Sequence, residues 1–236
     1  MAVDAVIFDW GGTLTPWRTI DFAEESAALA QACVPSGVHS GDPEEAAAAL
    51  LAANGTVWER SRDEHRSATI ADIFAAAGLT HDASLLQPYR DFWEPRTLTD
   101  PDVPALFDRL RADGIRIGVL SNTVWPREWH EGFFERDGVL HLLDGAVYTS
   151  EIPWTKPHPE AFGAAMAAVG VDDPARCVFV GDRLFDDIYG ATAVGMKAVH
   201  VPHSDVPAAQ HGHTNGQPDA VIQRLADLPD VIAPWR

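Results

Sequence analysis

Five short runs, apolar at nearly every position, decide what this chain can fold into. They are "AVIF" (5–8), "IRIGVL" (115–120), "AVYT" (146–149), "CVFV" (177–180) and "KAVHV" (197–201). A strand with one wet face alternates apolar and polar residues. A strand that is apolar throughout is buried on both faces, as in a parallel sheet covered by helices. Helix-like stretches lie between the later runs, "VPALFDRLRADG", "PEAFGAAMAAVG" and "DDIYGATAVG", each closed by a glycine of the kind that stops helices. The alternation predicts an α/β fold, a doubly wound, Rossmann-like parallel sheet.

About a hundred residues separate the first two runs, far more than one crossover helix needs. The stretches "DFAEESAALAQACV", "DPEEAAAALLAANG", "TVWERSRDEHRSATIADIFAAAGL" and "HDASLLQPYRDFWEP" fill that gap and all read as helices, with Asp42, Pro43 and Glu45 making a good helix start. The expected organisation is a core of residues 1–16 and 97–236 with a helical cap inserted at 17–96. Hung on hinges at "TPW" and "EPRT", such a module is expected to act as a lid. The sheet is complete without it, so the core is expected to fold when the cap is removed.

The chain carries 35 acidic against 17 basic residues, a formal charge of -18. Such a field repels nucleic acid and anionic membranes, and neither is expected as a partner. It also repels phosphate, so an anionic substrate requires local positive charge from a metal, a lysine or backbone amides. Cys33 and Cys177 are the only cysteines and lie far apart, which favours a reducing compartment. The first residues have no basic region and no apolar run reaches membrane-spanning length, so a cytoplasmic location is expected. Near the end, "HSDVPAAQHGHTNGQPD" reads as a loop whose His203, His211 and His213 match no strong metal-ligand spacing.

Ligands of open parallel α/β sheets sit beyond the carboxyl ends of the strands. Asp9, Ser121 with Asn122, Lys156, and Asp182 with Asp186 and Asp187 follow four of the expected strands in that order. Each has a bland reading alone. Together, a carboxylate, a hydroxyl, an ammonium and a carboxylate cluster suit phosphoryl transfer. One carboxylate attacks to form an aspartyl phosphate, while oxygen ligands hold a hard divalent cation. Lys156 balances charge, and Ser121 with nearby amides holds the phosphoryl oxygens.

These segments, "FDWGGTL", "VLSNT", "TSEIPWTKPHPEAF" and "FVGDRLFDDIYGATAVGM", taken with the position of the insert, resemble the haloacid dehalogenase superfamily in the branch with a helical cap after the first motif. The resemblance covers nearly the whole chain. It implies a magnesium-dependent phosphohydrolase of a small soluble phosphorylated metabolite. Asp9 matches the nucleophile, Ser121 the phosphate-binding hydroxyl, Lys156 the charge-balancing lysine and Asp182 a direct magnesium ligand. Asp187, with Asp186 as the nearby alternative, matches the outer metal-site carboxylate. Gly12, Ser121, Asn122 and Lys156 form the implied substrate-binding set. Asp9, Gly11 through its carbonyl, Asp182 and Asp187 form the implied Mg2+ site.

Gly11 departs from the family pattern, because superfamily phosphatases usually carry there a second aspartate that protonates the leaving group and then activates water. Side-chain acid–base catalysis is absent at that position, a deficit of roughly 10²- to 10⁴-fold in rate. Either good leaving groups are preferred, a substitute acid exists, or the protein is a weak or inactive ligand-binding relative. Phosphonoacetaldehyde hydrolases also lack that aspartate but need a cap lysine, and the chain's Lys156 and Lys197 both lie outside the insert. Haloacid dehalogenases proper need no metal, which makes the acidic "GDRLFDD" superfluous and that activity the less favoured alternative. Pro153 replaces a usual glycine, with no consequence assigned. Trp10, Trp17, Trp125, Trp129 and Trp154 follow strands or mark the hinge; filling space between cap and core is their first reading, and stacking on a planar leaving group the second. In the insert, Arg60, Arg62, His65 and Arg66 are candidate substrate contacts set against a solvated charged face.

Overall fold

The computed structural model describes residues 2–17, 19–34, 42–202 and 215–236; His203, His211 and His213 lie outside them. Six strands form one sheet: β1 (Ala5–Phe8), β2 (Arg116–Ser121), β3 (Gly145–Tyr148), β4 (Cys177–Gly181), β5 (Lys197–His200) and β6 (Ala220–Val221), in the order β3-β2-β1-β4-β5-β6. All neighbours are parallel, and Phe8 stands opposite both Val119 and Val180. The strand centred in this register is the most apolar, and every residue of β1 is buried. Ala5 and Ile7 join Phe162 and Phe179 on one face, while Val6 and Phe8 join Phe107 and Val180 on the other. Both faces are therefore dry, as the unbroken apolar runs require. The two-residue β6 is too short to leave a periodic signal, and the sequence reading did not contain it.

Among the described residues four α-helices lie between β1 and the next core helix: α1 (Phe22–Ala30), α2 (Pro43–Glu64), α3 (Ile70–Ala76) and α4 (Gln87–Trp93). Asp42 caps α2 by accepting from Glu44 N–H at 2.9 Å, with Pro43 in the first turn. The helix then runs straight through Gly55, where the sequence suggested a stop. One interior glycine costs only about 1 kcal/mol relative to alanine, and Leu50, Ala53, Val57 and Ser61 bury one continuous face across it. The true break comes at His65, in the left-handed region at φ 55°, before the Thr69–Asp72 capping box opens α3. A single helix through 56–79 is thus corrected to two helices with an extended link between them.

The core continues as α5 (Val103–Ala112) before β2, α6 (Arg127–Arg136) after it, α7 (Pro159–Ala168) after β3, and α9 (Leu228–Ile232) near the end. After β4 comes a π-helical turn, Leu184–Tyr189, followed by α8 (Gly190–Val194). The inserted helices meet the core at the carboxyl edge of the sheet. Ile70 N–H donates to Val124 O at 3.0 Å, Ser67 N–H to Pro153 O at 3.2 Å, and Thr155 N–H to His65 O at 2.9 Å. Pro153 thereby acquires a role as an acceptor for the insert. Among the described residues no helix is long and apolar enough to cross a membrane.

Candidate active site

Asp9 follows β1 directly, and its N–H donates to Val180 O at 2.9 Å, which fixes the residue against the end of β4. Gly12 then turns the chain at φ +98°, and an added Cβ there would lie 2.3 Å from Asp182 Oδ2. Only glycine suits both the backbone and the approach. A Cβ on Gly181 would likewise fall 2.3 Å from Asp187 Oδ2. Gly11 is different, since a Cβ there would meet nothing within 4 Å. The space for a side chain at 11 is open.

These glycines let three carboxylates converge. One oxygen each from Asp9, Asp182 and Asp187 lies within 4.8 Å of the others. Lys156 Nζ donates to Asp9 Oδ1 at 2.5 Å and to Asp187 Oδ1 at 2.7 Å, and all three side chains are almost wholly buried. Asp187 Oδ2 accepts from Arg183 N–H at 2.9 Å, so both its oxygens are engaged. Asp187, rather than its neighbour Asp186, is the one brought to the lysine. Asp9 Oδ2 and both oxygens of Asp182 are buried without a hydrogen-bond partner; Arg183 Nε reaches Asp182 Oδ2 only as an ion pair at 3.5 Å.

Buried carboxylates left in this condition resist ionisation. Burial raises Asp9 to about 6; Lys156 opposes the shift and Asp187 adds to it. Burial, with the charges of Asp9 and Asp187, holds Asp182 well above the usual carboxylate range. Asp186 is pushed to about 6 by burial and by Asp187. Burial works against the Lys156 ammonium, but Asp187 and Asp9 outweigh it and its pKa is raised. The unpaired oxygens of Asp9 and Asp182, in a cluster closed by Asp187, form a hard-oxygen donor set that a divalent cation would satisfy. The residues fit Mg2+.

Ser121 ends β2 and is buried, opposite Tyr148 in the sheet. Asn122 is fully committed: its Oδ1 accepts from Lys156 N–H at 2.8 Å and its Nδ2 donates to Lys156 O at 3.1 Å. The amide clamps the lysine's peptide rather than facing open space. Gly12 N–H donates to Thr15 O at 2.7 Å. Behind the loop, Thr123 N–H donates to Thr149 Oγ1 at 2.9 Å and His130 Nε2 lies 3.0 Å from Thr123 Oγ1. Burial, then the charge of Arg127, lowers His130 to about 3, so this ring is neutral. Sequence reasoning missed this support, because a Thr–Thr–His contact among residues 123, 130 and 149 has no spacing signature.

The tryptophans divide. Trp125 packs against Trp10 at 5.7 Å, Trp93 at 4.9 Å and Trp129 at 5.9 Å between ring centroids, a seam between insert and core that includes Trp93, which the sequence reading had not singled out. Trp17 lines a cavity of about 30 Å³ with Gly11, Trp10 and Trp93. Trp154 lies apart, stacked on His158 at 3.9 Å with the Arg66 guanidinium 4.0 Å from its centre.

Residues 3–195 match the family model described as haloacid dehalogenase-like hydrolase. A glyceraldehyde 3-phosphate phosphatase of Methanopyrus kandleri is 28% identical over 231 residues, 98% of this chain and 97% of the relative. The enzyme so named from Methanothermobacter thermautotrophicus is 31% identical over 134 residues, 56% of this chain but only 58% of that relative's length. Among solved structures, a HAD phosphatase from Thermococcus onnurineus superposes with a TM-score of 0.67 at 24% identity, covering 98% of each chain. Solved 2-haloacid dehalogenases share the fold at a TM-score of 0.63.

Proposed function

Because the chain belongs to the haloacid dehalogenase-like hydrolases, we propose that it is a magnesium-dependent phosphohydrolase of small phosphorylated metabolites that works through an aspartyl phosphate on Asp9. One observation carries this reading: a lysine-paired aspartate stands in a buried cluster with carboxylate oxygens that have no hydrogen-bond partner. A metal-independent dehalogenase has no use for that concentration of negative charge. The glyceraldehyde 3-phosphate phosphatases among its relatives support a small phosphate ester as substrate. The charge of -18 supports a small-molecule substrate over nucleic acid, and a cytoplasmic setting belongs to the same reading.

Asp9, Asp182 and the Gly11 carbonyl would hold Mg2+, with Asp187 as the outer carboxylate. The ion would neutralise charge on the phosphoryl group and keep Asp9 ionised. Asp9 then attacks phosphorus in line with the departing oxygen, and water later displaces the carboxylate. Lys156, held by Asp187 and by the Asn122 clamp, balances charge on the transferring group. The Ser121 hydroxyl binds a phosphoryl oxygen. The cap at 17–96 excludes water and selects substrate. The direct test is phosphate release from a panel of small phosphate esters, beginning with glyceraldehyde 3-phosphate, with magnesium and with chelator. Release that stops on chelation supports the proposal. Metal-independent halide release from a short 2-haloacid would replace it with dehalogenation, and inertness toward every ester would leave a ligand-binding protein.

A further inference from the structure

Gly11 leaves the site without a proton donor on its own strand end, and the insert carries a histidine bonded through its backbone to the residue before Lys156. We infer that His65 is the general acid and base of this reaction, an inference that rests on the phosphohydrolase reading. His65 is the one non-glycine residue at positive φ among the described residues. Such a conformation is strained for a side-chain-bearing residue and collects at functional positions. Its backbone is fixed on both sides, with N–H donating to Ser61 O at 3.0 Å and O accepting from Thr155 N–H at 2.9 Å. Ser61 and Thr155 also bond through their hydroxyls at 3.2 Å. Thr155 immediately precedes Lys156, so the strap that holds His65 is continuous with the residue that contacts Asp9.

On its other side the imidazole lies 6.2 Å from the ring of Phe185, a residue of the π-helical turn Leu184–Tyr189 that carries Asp187. His65 therefore stands between the lysine loop and the acidic loop. Its Nδ1 is buried without a hydrogen-bond partner, an unspent polar atom of the kind a reacting group would satisfy. The other cationic candidates of this stretch are occupied or exposed: Arg66 lies over Trp154, while Arg60 and Arg62 face solvent. Within the site, Lys156 is doubly ion-paired and Asp187 has both oxygens engaged.

The proton balance closes. As Asp9 attacks and the phosphorus–oxygen bond to the leaving group breaks, protonated His65 gives its proton to that oxygen and the alcohol departs. Neutral His65 then takes a proton from the water that attacks the aspartyl phosphate. Asp9 leaves as a carboxylate, inorganic phosphate is released, and His65 is protonated again.

Glycine is the natural probe, because it accepts φ 55° without strain and leaves an imidazole-sized gap. His65→Gly should lower turnover of alkyl phosphates by roughly 10²- to 10⁴-fold, lower turnover of aryl phosphates far less, and recover alkyl turnover on addition of imidazole. His65→Asn, which also tolerates this backbone, should show the same split between leaving groups. Equal losses on alkyl and aryl phosphates, no loss, or the same leaving-group split in Asp186→Asn would overturn the inference while leaving the phosphohydrolase reading intact. Wild-type protein inert toward every ester would overturn both.

Discussion

Two sets of buried carboxylates lie on the two sides of the seam between insert and core, and they are handled in opposite ways. At the sheet edge, Asp9 and Asp187 share one ammonium beside Asp182, and three oxygens of Asp9 and Asp182 have no hydrogen-bond partner. In the insert, Glu25 of α1 accepts from the Tyr89 hydroxyl at 2.7 Å, and that hydroxyl accepts from Trp125 Nε1 at 3.3 Å. Burial raises Glu25 to about 7, with only the Tyr89 bond opposing it. Glu25 can remain protonated in an apolar wall, complete as it stands. The sheet-edge set is incomplete: glycines at 12 and 181 bring the charges together, and among the described residues nothing hydrogen-bonds Asp9 Oδ2 or either oxygen of Asp182. Burial alone therefore does not mark a functional carboxylate; an unpaired oxygen beside a fixed cation does.

The sharpest way to break this contrast is to remove the shared cation. Lys156→Met should destabilise the protein by about 3–5 kcal/mol, since it strands buried charge, and should abolish phosphate release. Denaturant unfolding read beside activity checks both. A loss confined to activity would mean that the acidic set is not held together by the lysine.

Glu25→Gln should have a smaller effect, and one that depends on pH. Native Glu25 keeps its proton to about 7 against a reference of 4.5. The stabilisation from this group is thus fully present below pH 4.5 and lost as pH rises through about 7. Wild type should lose about 3 kcal/mol relative to Glu25→Gln across that window. Parallel unfolding curves at all pH values would show that Glu25 ionises freely and that the two sets do not differ as described.

Smaller again is the response to magnesium itself. The ion should raise the stability of the wild type, by about 2.7 kcal/mol at a hundredfold excess over its dissociation constant, and leave Asp182→Asn nearly unchanged. Because Asp9 must lose a proton held to about 6, the magnesium effect should grow as pH rises through that value. Thermal unfolding with and without the ion measures it. An equal shift in Asp182→Asn would place the ion elsewhere.

The sheet was legible because parallel strands must be apolar on both faces, and β1 and β4 carry that signature without interruption, β2 with only Arg116 at its start and Ser121 at its end. The strand-end residues were legible for a related reason: chemistry in such a fold gathers where strands stop. What stayed hidden depends on side-chain direction. Nothing local distinguishes Asp186 from Asp187; only the π-helical turn decides which one faces Lys156. Asn122 reads as a substrate ligand beside Ser121, and the structure shows both ends of its amide bonded to the lysine's backbone, a contact with no spacing signal. The helix break at His65 carried no glycine to announce it. Leu29, Ile73 and Tyr89 belong to the same apolar cluster as Phe8, Trp125 and Phe133, so excising the insert would open that cluster to water.

The claim on which the rest depends is that Asp9 performs the chemistry, and Asp9→Asn addresses it most directly, because an amide nearly the same shape cannot supply the attacking oxygen. The measurement is magnesium-dependent phosphate release by folded Asp9→Asn protein beside the wild type, on whichever ester the wild type turns over fastest. The account predicts release by the wild type and none above background by the variant. Phosphate release by Asp9→Asn at a rate comparable to the wild type would contradict it.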